Sequence, residues 1–155
     1  ENLQKSYPGL FTVDVLQGIV ILPTSMSMDQ LRYLYGAADL YVSPYRAEGF
    51  NLPVLEAIAC GLRSLVTRGG ATDEFFHPSI CTGIKSALVD PSQTGVPVKG
   101  LYLEPDFDDL RQRMAELVLA GSVGALPRRV TLSSEALSRW SWPGATQTLM
   151  KELFE

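Results

Sequence analysis

The segment from Leu40 to Thr67 limits the possible fold more than any other part of the chain. A short apolar run, Leu40 to Ser43, is ended by Pro44. A loop with Glu48 and Gly49 follows, then the apolar run Leu52 to Cys60, Gly61, and a second short apolar run from Arg63 to Thr67. Short apolar strands alternating with helices argue for an α/β fold with a parallel sheet. On a helical projection, Leu52 to Cys60 is apolar on every side, so the helix is expected to be buried on all faces. Glu56 is its only charge. A buried carboxylate is costly without a partner, so a polar group is expected to meet it.

Other elements follow from local signals. Residues 1–9 read as an irregular lead-in. Phe11 to Val15 and Gly18 to Leu22 read as strands, and Ser27 as the N-cap of a helix from Met28 to Ala38. The stretch 78–103 holds three prolines and reads as an insertion with one or two short strands, Ser86 to Val89 and Gly100 to Leu103. A helix is expected from Asp106 to Ala120. Pro105 precedes it, acidic residues crowd its first turn, Gly121 closes it, and Leu110, Met114, Leu117 and Val118 form its apolar face. Ser133 to Arg139 and Gly144 to Phe154 read as shorter helices divided at Trp142 and Pro143.

Composition narrows the class. The 155 residues suit one domain with a real core, at 46% apolar and 19% charged. No apolar run reaches the ~18 residues of a membrane span, and no secretory signal is visible. Cys60 and Cys81 make no disulfide framework. Cys60 reads as a reduced core thiol, so a cytoplasmic setting is expected. The net charge of −4, without a basic run, speaks against a nucleic-acid polymer as partner. The single histidine, His77, has no metal-ligand pattern around it, so no metal is expected.

Strand, glycine turn and helix N-terminus together form a ready anion site, because free amides and the helix dipole converge there. Gly49 lets the backbone approach a phosphate, and the amides of Gly49, Phe50, Asn51 and Leu52 are the candidate cradle. Asn51 tolerates left-handed backbone angles and is also a good N-cap. Either its side chain touches the anion or it caps the helix. Arg46 and Arg68 stand in loops at the C-terminal ends of expected strands, where open α/β sheets bind ligands. Gly69 and Gly70, followed by Asp73 and Glu74, read as a second close-approach turn opening a possible helix. Trp140 and Trp142, at helical spacing, read as core or interface before ligand platform.

Glu48 to Gly61, E-G-F-N-L-P-V-L-E-A-I-A-C-G, resembles the donor-site signature E-G-F-G-L-P-x-L-E-A-M-A-C-G of the retaining GT-B glycosyltransferases of family four. Asn51 replaces the commoner glycine. The likeness extends upstream through Leu31 to Pro44 and downstream through Arg63 to Val66, Gly69-Gly70 and Asp73-Glu74. Arg139 to Trp142 resembles the family's entry to its last helix. In all it covers residues 18–155. It implies the C-terminal half of a GT-B fold, a Rossmann-like parallel sheet flanked by helices. It also implies a nucleotide sugar as donor substrate, no cofactor and no obligatory metal. By resemblance, Glu56 binds the donor ribose diol, and Glu48 lies beside the transferred sugar and acts in catalysis.

The family's opening Gly-Arg and Lys, which hold donor phosphates, have no match, and Lys5 is too isolated to replace them. The N-terminal acceptor domain is expected to lie elsewhere, as a missing domain or a partner chain, and it could carry any membrane-peripheral attachment. The isolated chain is then expected to be inactive. A nucleotide-binding module without catalysis, one subunit of a split transferase, and a phosphorylase or epimerase stay open.

Overall fold

The computed structural model describes residues 18–22, 25–91, 100–133 and 137–154. The strand expected at Phe11 to Val15, the lead-in 1–9 and Lys5 lie outside them. The chain divides into two units, Glu1–Leu31 and Arg32–Glu155. In the first, Gly18 to Leu22 forms no strand, and Ile19, Val20, Ile21 and Leu22 are exposed. An apolar run shows only capacity for a strand, because the ladder needs a neighbour. The helix start is legible. The Ser27 amide donates to Gln30 Oε1 at 2.8 Å, and the Gln30 amide donates to Ser27 Oγ at 3.3 Å. This is a reciprocal capping box. Helix α1, Met28–Ala37, follows and carries the boundary between the units.

The second unit is built on a parallel sheet in the order β1 (Tyr41–Ser43), β2 (Ser64–Thr67), β3 (Cys81–Ile84). Tyr41 pairs with Ser64, and Ser64 with Cys81. Helix α2, Leu52–Ala59, connects β1 to β2, and a 3₁₀ turn, Ala71–Phe75, lies between β2 and β3. All four residues of the central strand β2 are buried. Val66 joins Val54 and Ile58 of α2, with Phe75, Ile80 and Cys81, in one core cluster. Leu65, next along the strand, points to the other face and is also fully buried. The fold is an α/β Rossmann-like sheet flanked by helices.

Three expectations need correction here. Helix α2 buries only Val54, Ala57 and Ile58, while Leu52 is 57% exposed. Composition alone overstated its burial, since one sheet face covers one side of a helix. Cys60 is accordingly half-buried, whereas Cys81 is buried in the core, and both are free thiols. Second, the stretch read as an insertion supplies β3. Its Cys-Thr-Gly-Ile sequence is too short and too weakly apolar to read as a strand. Gly83 is there because a Cβ would meet Arg68 Cγ at 2.5 Å.

Third, the helix after Pro105 runs further than Gly121 suggests. Helix α3 spans Phe107–Ser122, and Gly124, not Gly121, takes left-handed angles (φ 70°) beyond its end. Asp106 is its N-cap, accepting from the amides of Asp108 and Asp109. The expected apolar face is only partly covered, with Met114 and Val118 exposed.

Strand β4, Ser86–Val89, pairs antiparallel with β5, Tyr102–Pro105, two residues later than the expected Gly100 start. Helix α4, Trp142–Phe154, begins at Trp142 with Pro143 in its first turn, where a missing N–H costs nothing. Trp142 and Pro143 therefore open the last helix, two residues before the expected Gly144, and Leu137 and Ser138 are helical ahead of it. Residues 134–136 of the helix expected at Ser133 to Arg139 lie outside the described residues.

Candidate functional site

The loop from Pro44 to Asn51 joins the C-terminal end of β1 to α2. Phe50 anchors it from inside, its ring 5.2 Å from Phe75 and 5.6 Å from Trp140. The Phe50 ring packs against the core and also lines the cavity beside α2. Asn51 stands at φ 64°, ψ 56° and is the only non-glycine residue with positive φ among those described. Its side chain neither caps the helix nor faces solvent. It donates through Nδ2 to Ser43 Oγ at 3.1 Å. The left-handed angles expected of Asn51 are adopted, and the expected alternative of a side-chain helix cap is not.

Among the described residues, no hydrogen bond engages the amides of Gly49, Phe50, Asn51 or Leu52. Four successive donors are thus unspent at the positive end of α2. Gly49 is exposed, and a Cβ there would meet nothing within 4 Å. Its side is open to an incoming molecule.

Glu56 lies one turn into α2 and is half-buried. The polar partner anticipated for it is the hydroxyl of Tyr35, which donates to Oε2 at 3.0 Å. Burial, this bond and the carboxylate charge push the Tyr35 phenol far above its ordinary pKa. Tyr41 is also raised, by burial, then Glu56, then Glu48. The Tyr41 hydroxyl therefore sits in the field of both carboxylates. Glu48 itself is exposed.

Both loop arginines are already paired. Arg46 makes a two-bond fork on Glu104, Nε–Oε2 at 2.7 Å and Nη2–Oε1 at 2.8 Å. Its carbonyl also accepts from the Leu103 amide, which ties the loop to β5. Arg68 pairs with Asp73 at 2.8 Å and lies over the Phe76 ring. Asp73 in turn accepts from the Gly69 amide, and Gly69 takes φ 89°. Buried Thr72 and Tyr45 share a hydroxyl bond of 2.9 Å, and Thr72 donates to the Thr67 carbonyl. The loops after β1 and β2 are thereby locked together. Gly70 is needed beneath this lock, because a Cβ would lie 2.8 Å from the Tyr45 hydroxyl.

A cavity of about 780 Å³ opens between the start of α2 and α4, with Leu52, Leu55, Glu56, Trp140, Trp142 and Leu149 in its walls. Trp140 serves the core as anticipated, while Trp142 is 88% exposed at the rim. A second cavity, about 430 Å³, lies by Asp39, Arg63 and Arg128, before β1 and β2, at the sheet edge away from the glycine turn. His77 bonds to Ser79, and no metal-binding cluster occurs among the described residues. No helix among them is long and apolar enough to cross a membrane.

Sequence reasoning missed Tyr35, Tyr45, Thr72 and Glu104, whose roles depend on contacts across 21 to 58 residues. The one signal that could have pointed to Tyr35 was the demand of Glu56 for a donor.

A family model described as "Glycosyl transferases group 1" matches residues 12–95, more than half the chain. The chain is 29% identical over 101 residues to "Putative glycosyltransferase 45" of Sulfolobus islandicus filamentous virus (isolate Iceland/Hveragerdi). That match covers 64% of this chain and 29% of the viral protein. Over 34 residues it is 53% identical to the O-antigen chain mannosyltransferase B of Escherichia coli, covering 22% of this chain and 9% of that protein. The matched part thus spans less than a third of either relative.

Proposed function

Because this chain belongs to the group 1 glycosyl transferases, we propose that it is the donor-binding domain of a retaining, nucleotide-sugar-dependent enzyme of GT-B architecture. The observation that carries this reading is the run of four unspent amides from Gly49 to Leu52, one helical turn before the half-buried carboxylate of Glu56. The amides and the α2 dipole receive the donor pyrophosphate. Glu56 accepts from the two ribose hydroxyls. Glu48, exposed at the turn, stabilises positive charge developing at the anomeric carbon. A mannosyltransferase among the relatives supports a hexose-type sugar. Charge on the leaving diphosphate is met by amides and dipole, so transfer needs no obligatory metal. The acceptor site is supplied by a domain outside these residues or by a partner chain, and the proposed compartment is cytoplasmic.

One observation favours a second reading, a binding module without catalysis. Arg46 and Arg68 both face carboxylates, which leaves phosphate recognition to the backbone.

Calorimetry with UDP, GDP, ADP and CDP tests the first claim. Saturable binding by millimolar ligand is expected, weakened by Glu56→Ala. A folded chain that binds none of them overturns the reading. With the acceptor half supplied, transfer should appear and persist in EDTA, and Glu48→Gln should lower kcat far more than nucleotide affinity. A reconstituted enzyme inert with all common nucleotide sugars moves the module reading ahead.

A further inference from the structure

We propose that Tyr35 is a positioning residue that presents Glu56 to the hydroxyls of a bound ribose; this rests on the reading of Glu56 given above. Tyr35 takes one carboxylate oxygen, Oε2, at 3.0 Å. Among the described residues no hydrogen bond reaches Oε1, and no cation pairs with Glu56. A carboxylate kept for stability alone is normally met by a cation or several donors. Here a single neutral hydroxyl holds one oxygen of a residue that lines the cavity. That arrangement suits neutral hydroxyl donors. It fixes the carboxylate plane without spending the acceptor capacity that a diol would use.

The bond is built to be rigid. The Tyr35 ring is 7% exposed and stands edge-on to Tyr41, centroids 5.9 Å apart at 70°. The end of α1 is held by two successive arginines. Arg129 donates to the carbonyls of Tyr35, at 3.0 Å, and Gly36, and Arg128 donates to that of Ala37 at 3.1 Å. Cations on the last carbonyls of a helix also complement its dipole.

The next residue, Val130, donates its amide to the Gly61 carbonyl at 3.0 Å, just beyond the end of α2. Gly61 takes φ 72°, and a Cβ there would sit 2.8 Å from the Val130 carbonyl oxygen, so glycine is required for this approach. Residues 128–130 therefore strap together the ends of the two helices that carry Tyr35 and Glu56. The strap sets their register, and the register sets the hydroxyl–carboxylate bond.

Whichever of UDP, GDP, ADP and CDP binds tightest is titrated into the 155-residue chain, beside its 2′,3′-dideoxy counterpart. The readout is the ratio of the two dissociation constants. Glu56→Gln should collapse this ribose preference. Tyr35→Phe should weaken binding of the ribonucleotide about five- to tenfold and leave the dideoxy compound unchanged. In the Glu56→Gln background, Tyr35→Phe should do nothing. Arg129→Ala should lower the ratio in the same direction without touching the cavity.

If Glu56→Gln collapses the ratio and Tyr35→Phe weakens both ligands equally, or neither, Tyr35 is structural and the proposal falls while the Glu56 reading stands. If Glu56→Gln leaves the ratio intact, the Glu56 reading fails and the proposal with it. Should Tyr35→Phe not fold, Arg129→Ala is read instead. A lowered ratio supports positioning, and a ratio equal to that of the wild type overturns it.

Discussion

Asn51 donates through Nδ2 to Ser43 Oγ at 3.1 Å while its own backbone is left-handed. The two facts belong together. The strand residue Ser43 and the residue before α2 are tied across the turn, and only a residue that accepts φ 64° can make the tie. Asn51→Gly relieves the left-handed cost but removes a buried bond, so stability should change by less than about 1 kcal/mol. Asn51→Val adds β-branched strain to the lost bond and should cost about 2–4 kcal/mol. Urea midpoints of the two variants check this. Equal midpoints would mean that the turn carries no conformational demand.

The fork between Arg46 and Glu104 is exposed and ties the glycine-turn loop to β5. An exposed pair adds little to stability, so Glu104→Gln should barely move the melting temperature. It frees a guanidinium beside the proposed phosphate site. Nucleoside diphosphate affinity should then rise severalfold at low salt, and the gain should fade as salt is added. Unchanged affinity at every salt concentration would mark Arg46 as a structural tie only.

Phe50, Phe75 and Trp140 meet ring to ring within 5.8 Å and hold the site loop to the core. Phe75→Ala removes the buried member of this trio and should cost about 3–5 kcal/mol. Chemical denaturation followed by tryptophan fluorescence measures it. A loss below about 1 kcal/mol would show that the trio collapses around the gap.

The carboxyl of Asp109 is held below the usual carboxylate range, first by the Lys85 amide at 2.9 Å and then by the charges of Lys85 and Arg113. A lowered folded value means that this stabilisation is complete above the unfolded value, near pH 4, and is lost as pH falls through the folded value. Acid unfolding below about pH 4 should therefore be less steep in Asp109→Asn. An unaltered slope in stability against pH would exclude Asp109 as a contributor.

Much of this protein was legible before any tertiary contact was known. The run from Glu48 to Gly61 marks the turn, the helix and both carboxylates by local chemistry: glycine in the open turn, asparagine where φ turns positive, proline in the first helical turn. The capping residue Ser27 was equally plain, because a cap is a relation between residues three apart. Burial and partnership were not legible. The all-round apolar character of α2 could not say that only Val54, Ala57 and Ile58 would find cover, since cover depends on which elements the fold brings alongside. Strand β3 had too little apolar pattern of its own and exists because β2 offers it a ladder. Glu56 demanded a donor, but only the packing of α1 against α2 determined that the donor would be Tyr35. Hydrogen bonds that span distant segments leave no period in a sequence, so these pairings were settled by tertiary structure alone.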